Sequence, residues 1–138
     1  MQTDTTVGFS SQNREKLQEI KSRHTSKPFI KLYESFALLK QEGLRVPNTQ
    51  KNRIRRSKKT TFIVKNQSFR VAQTLLHSAV LRKLSWSYSS SANEAGKKFQ
   101  REFCEANADI IIEDKNSLFE GKPSTLYKIN TIKIKRLR

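Results

Sequence analysis

The stretch "STLYKINTIKIKRL", residues 124–137, decides how this chain is read, because its period is two rather than three or four. Lys133, Lys135 and Arg136 alternate with Ile132, Ile134 and Leu137, the pattern of a half-buried strand whose lysines also guard an exposed edge. Just before it, "KNSLFEGKP" (115–123) carries the Gly and Pro of a turn, and "ADIIIED" (108–114) is again rich in β-formers. The spacing predicts a C-terminal β-hairpin.

Upstream the period changes. "SKPFIKLYESFALLKQEGL" (26–44) places Phe29, Leu32, Tyr33, Phe36 and Leu39 three and four apart, with Ser26 as a cap, Pro28 in the first turn and Gly43 as the stop. "NQSFRVAQTLLHSAVLRKL" (66–84) predicts a longer helix capped by Asn66 or Ser68, with Phe69, Ala72, Leu76, Ala79, Val80 and Leu84 on one side. Its other side carries Arg70, Gln73, His77 and Lys83. A further helix opens at Ser91, where Ser91 and Glu94 have capping-box spacing, and buries Ala95, Phe99, Phe103 and Ala106. Leu17 and Ile20 suit a short helix near the start, "TTFIVK" (60–65) reads as a strand, and residues 1–10 read as a mobile polar lead. The fold class expected is α+β: a single domain over 11–138, small and helical, with a C-terminal β-hairpin.

With 138 residues and 35% apolar content the chain can bury one modest core. Charge is its most unusual property. Lys and Arg number 28 against 12 Asp and Glu, a net +16 that a compact molecule sustains best beside an acidic partner. From Gly43 to Asn93 there is no carboxylate, and the segment 45–60, with "KNRIRRSKK" at 51–59, has turn residues and no helical period. It reads as an extended basic arm. Lys51, Arg53, Arg55, Arg56, Lys58, Lys59, Lys65 and Arg70 are therefore the residues expected to meet phosphates, releasing counterions and making affinity fall with salt. A membrane surface is a poorer match, since the basic run holds one apolar residue, Ile54, and no stretch reaches the ~18 apolar residues of a span. No signal or transit pattern opens the chain, so cytosol or nucleoid is the expected location.

"EGKPSTLYKI" (120–129) resembles the second half of the wing in winged-helix transcription and replication proteins, and the order of helices then hairpin resembles them too. That resemblance implies a DNA-binding protein, a small regulator or replication accessory factor. Lys122 and Ser124 would then lie at the wing tip beside phosphates, and Tyr127 and Ile129 would tie the wing to the core. The helix before the wing, 91–106, departs from the pattern: Glu94, Lys97, Lys98, Arg101 and Glu105 share one nearly neutral face, with Glu94–Lys98 and Arg101–Glu105 as pairs. The acid-free helix at 68–84 competes with it for base reading.

Other constellations are weaker. Asp109 or Asp114 with Glu120 and Lys122 resembles the acidic pair and lysine of restriction-endonuclease-like nucleases, which would hold Mg²⁺. Trp86 and Tyr88 stack on bases in one reading and fill core in the other. The single Cys104 excludes an internal disulfide and reads as a buried structural thiol, and His24 and His77 lack ligand spacing. No cofactor, metal or catalytic residue is assigned. DNA is favoured over RNA as the partner, with three rivals: an RNA-binding or ribosome-associated protein, a nuclease, and a protein-binding inhibitor with a basic face.

Overall fold

The computed structural model describes residues 1–22, 28–72 and 74–138. Seven strands form one mixed sheet: β1 (Gly8–Ser11), β2 (Ile30–Tyr33), β3 (Thr60–Val64), β4 (Gln67–Val71), β5 (Trp86–Ser91), β6 (Thr125–Ile129) and β7 (Ile134–Arg136). Their spatial order is β1-β5-β2-β4-β3-β6-β7. Pairing is parallel between β2 and β4 and between β3 and β6, and antiparallel elsewhere. Among the described residues the α-helices are α1 (Arg14–Lys21), α2 (Phe36–Gln41), α3 (Lys51–Arg56), α4 (Leu75–Leu84) and α5 (Arg101–Ala106). The architecture is mixed α+β, with a sheet much larger than a terminal hairpin.

Strand alternation sorts the side chains into two layers. On one face Phe62, Val64, Phe69, Val71, Tyr33 and Ile129 meet Phe36 and Leu39 of α2 and Ile54 of α3. Phe62 anchors this layer, its ring tilted against Phe69 and stacked on Tyr127 with centroids 6.0 and 6.1 Å away. A second cluster at the β1 end joins Val7, Phe9, Phe29 and Cys104 to Leu17 of α1. On the opposite face α4 lies over the sheet, with Leu81 packed on Leu32 and Ala72.

Local chemistry explains where the elements begin and end. Asn13, Ser35 and Thr74 each accept a backbone N–H of the first turn of α1, α2 and α4, from Lys16, Leu38 and His77. Gly43, at φ 79°, ends the α2 turn as its position suggested. Lys65 and Asn66, with φ 45° and 64°, form the two-residue turn that the right-handed twist of β3 and β4 favours.

Several sequence expectations give way here. The helix expected at 26–44 is β2 followed by α2, because Phe29, Leu32 and Tyr33 satisfy a sheet as well as a helix; Ser26, its expected cap, lies outside the described residues. The helix expected at 66–84 is likewise β4 followed by α4, so Asn66 and Ser68 are turn and strand residues and Thr74 is the true cap. Ser91 ends β5 instead of capping a helix, Glu94 pairs with Lys97 rather than Lys98, and α5 begins only at Arg101. The basic arm is not extended: Asn48–Gln50 form a 3₁₀ turn and Lys51–Arg56 a helix seated by Ile54, which is 2% exposed. Residues 1–10, read as a mobile polar lead, place Gln2, Thr5, Val7 and Phe9 in buried positions and contain the start of β1. The "ADIIIED" run is not a strand, and the terminal hairpin is β6 with β7 alone.

Candidate functional site: a polar cavity over the sheet

The face that carries α4 holds a cavity of about 410 Å³. Its floor comes from alternate residues of four adjacent strands: Ile30 and Leu32 of β2, Ser68 and Arg70 of β4, Thr61 and Ile63 of β3, and Leu126 of β6. The register puts them together, because Leu32 pairs with Arg70, Ile63 with Ser68 and Thr61 with Leu126. Ser89 to Ser91 of β5 close one side, Pro123, Ser124 and Arg138 another, and the N-terminal threonines and His77 of α4 form the rest. Phe69 and Arg70, adjacent in sequence, are divided by the strand between core and cavity.

Two charges meet at the floor. Arg70 Nη1 donates to Asp4 Oδ1 at 2.6 Å, with 8% and 5% of the two side chains exposed. Arg70 also donates to Thr5 Oγ1 at 3.0 Å and to Thr61 Oγ1 at 3.2 Å, while Thr61 and Ser124 share a hydrogen bond of 2.9 Å. Asp4 is held from the other side by the backbone N–H of Lys59 at 3.1 Å. Burial lowers the pKa of Arg70, with Asp4 opposing that effect, so the pair is a satisfied buried ion pair. Yet Arg70 Nε has no hydrogen-bond partner among the described residues, and neither ring nitrogen of His77 has one.

His77 is the most constrained titratable group. It is 0% exposed, and burial pushes its pKa down from 6.5 to about 4, with Arg70 acting in the same direction and Asp4 against it. At neutral pH it is an uncharged imidazole, packed behind the cavity lining with both ring nitrogens shut off from solvent. Apart from the Arg70–Asp4 pair and Arg138, whose Nε donates to the Ser124 carbonyl at 3.1 Å, the lining is hydroxyl and aliphatic.

Beside the cavity the N-terminal residues are clasped to the segment before β6. Val7 N–H donates to Phe119 O at 3.2 Å, Phe119 N–H to Gln2 Oε1 at 3.0 Å, and Gly121 N–H to Thr6 Oγ1 at 3.2 Å. Gly121 is required by close approach, since a Cβ there would overlap the carbonyl oxygen of Thr5.

The residues singled out for phosphate contact are divided by this geometry. Arg53, Arg55, Arg56, Lys58, Lys59, Lys65 and Lys122 are exposed, and Lys51 is half-buried. Arg55 lies over the Phe36 ring at 4.4 Å and donates to Asn52. Arg70 and Ser124 are buried in the cavity network and are not on the surface with the others. Tyr127 and Ile129 do pack into the core. Trp86 and Tyr88 belong to β5, where they meet edge to face at 5.3 Å and Lys31 caps the Trp86 ring at 3.9 Å. The carboxylates of the nuclease-like pattern have separate partners: Asp109 binds Lys16, Asp114 turns onto Asn116 N–H, and Glu120 accepts from Phe99 N–H. Cys104 is buried and donates to the Ala92 carbonyl. His24 and Gln73 lie outside the described residues.

Sequence reasoning missed Asp4, Thr61, His77, Ser68 and the serines of β5 as one site. Their signal was available only in the alternation of "TTFIV" and "SFRV", which places Thr61, Ile63, Ser68 and Arg70 on one face once both are strands. Comparison with protein-family models, with curated proteins and with solved structures found no match.

Proposed function

We propose that this chain binds a nucleoside phosphate, or a ligand of the same size and chemistry, in the cavity over β2, β3, β4 and β6. The observation that carries the reading is the cavity itself, an apolar floor of Ile30, Leu32, Ile63 and Leu126 ringed by the hydroxyls of Thr5, Thr6, Ser68 and Ser89 to Ser91, with Arg138 beside it. Sites that bind small molecules are concave and mostly apolar, with a few placed polar groups that fix orientation. A volume of about 410 Å³ suits a nucleotide-sized molecule. Ile30, Leu32, Ile63 and Leu126 offer apolar wall for a flat ring, the serines and threonines match sugar hydroxyls, and Arg138, whose Nε is held by the Ser124 carbonyl, brings a cation to the lining for the phosphate.

Titration calorimetry with ATP, AMP, adenosine and inorganic phosphate tests this. ATP or AMP should bind more tightly than adenosine or phosphate alone, and Arg138→Ala should weaken the phosphorylated ligands about tenfold while leaving adenosine unchanged. If no nucleoside or nucleotide binds, the reading is wrong.

A second reading is supported by a different observation, the exposed cations of α3 and the loop after it. Arg53, Arg55, Arg56, Lys58 and Lys59 are presented together by a short helix with no carboxylate between Gly43 and Asn93. Such a surface fits the phosphate backbone of DNA or RNA, with DNA the first to test and the β6–β7 hairpin, carrying Lys128, Lys133 and Lys135, used as a wing would be. Replacing Arg53, Arg55 and Arg56 together should reduce the salt slope of duplex DNA binding by up to about three. An unchanged slope removes α3 from the interface.

A further inference from the structure

A second concavity, of about 540 Å³, lies at the β1 edge and shares only Gly8 with the cavity described above. Its walls are α1, the outer side of α4, and the irregular segment after α5. The lining is mostly aliphatic: Leu17, Ile20, Val80, Leu84, Ile110 and Ile112. Part of this apolar surface faces solvent, with Ile110 77%, Ile111 39% and Leu84 37% exposed. An apolar surface left open on so charged a chain needs an occupant.

The rim indicates which. Lys83 stands exposed on the groove wall at the end of α4 beside Arg82, and Lys16 lies on the opposite wall with its ammonium bridged to Asp109 at 2.6 Å. A second copy of this chain would bring another +16 to a cationic rim, so self-association is opposed over the whole molecule. A segment with an apolar stripe and carboxylates beside it satisfies both the floor and the rim. We propose that this groove docks an acidic amphipathic segment of another protein, its aliphatic side chains against Ile20, Val80 and Ile110 and its carboxylates toward Lys83.

The test uses the full chain and three synthetic peptides about four helical turns long: Leu and Glu with Leu on one helical face, the same with Lys for Glu, and the same with Ser for Leu. Fluorescence anisotropy should show binding of the Leu/Glu peptide only. Ile110→Ser and Lys83→Glu change exposed residues and should each weaken it about fivefold or more, with thermal melting unchanged. Arg53→Glu with Arg56→Glu, on the far side of the sheet, should leave it within about twofold. Equal binding of the Ser/Glu peptide would reduce the effect to general charge attraction and overturn the proposal. So would affinity that ignores Ile110→Ser and Lys83→Glu, or sedimentation showing a dimer that Ile110→Ser dissociates.

Discussion

Acidification to pH 5 should destabilise this protein through His77 before most carboxylates titrate. The imidazole has pKa about 4 in the folded chain against 6.5 when solvated, because burial beneath α4 disfavours its charged form. Since the folded value is the lower one, the unfolded chain binds the extra proton, and stability is lost as pH falls through 6.5 toward 4. The slope approaches about 1.4 kcal/mol per pH unit within that window, and integrating from pH 7 to pH 5 gives a loss of about 2 kcal/mol. Urea denaturation at pH 7, 6 and 5 measures it, with His77→Leu as the reference. That substitution removes both unpartnered nitrogens while keeping a good helix former in α4, so its stability should be nearly flat where the wild-type value falls. Carboxylates common to both chains cancel in the difference. Parallel loss of stability in the two proteins, or an imidazole that titrates near 6.5 by NMR in the folded state, would refute the reasoning.

Gly121→Ala forces the clasp away from Thr5 and should cost about 1–3 kcal/mol, read as a lowered urea midpoint. Asp4→Ala strands the Arg70 guanidinium in a buried site and should cost about 3–5 kcal/mol in the same assay, and Asp4→Asn less because an amide oxygen still accepts. Ile54→Ala should cost about 2–5 kcal/mol, and because Ile54 seats α3, on the nucleic-acid reading proposed above it should also weaken duplex DNA binding without removing any cation. A wild-type urea midpoint for any of the three would contradict the packing on which it rests.

How much of this was legible in the sequence follows from the physics of each element. "TTFIV" predicted β3, and alternation marked 124–137 as β-rich, but the turn that divides that stretch into β6 and β7 went unread because Gly121 and Pro123 drew the hairpin turn to 115–123. β2 and β4 were hidden inside apparent helices. Phe29, Leu32, Tyr33 and Phe36 carry a three-and-four spacing that also spans a strand, a turn and a helix start, and the residues that decide between them, Tyr33 beside Val71 and Leu32 beside Arg70, are tens of positions apart. With β2 and β4 unread, a seven-stranded sheet reduces to a hairpin, and the cavity cannot be assembled because its floor is drawn from strands brought together only by pairing. The exposed cations of 51–59 needed no tertiary information. Arg70 did, since charge alone makes it one more surface arginine, whereas its partner Asp4 lies in a segment whose composition suggests no structure at all.

The sheet also separates the two kinds of positive charge that composition adds together. Ile54 fastens α3 to the layer of Phe62 and Phe69, while Thr61, Ser68 and Arg70, their immediate neighbours in sequence, look the other way into the cavity. A side-chain alternation of one residue therefore becomes a division of labour across the thickness of a sheet. A phosphate backbone lying on α3 has no direct path to Arg70, whose charge is already met by Asp4, and a small molecule seated over Arg70 leaves Arg53, Arg55 and Arg56 untouched. The high net charge belongs to the outside of the molecule, where the proposed contact with a polyanion would draw on it; a ligand in the cavity, as proposed, would meet an interior whose polar groups are mostly uncharged.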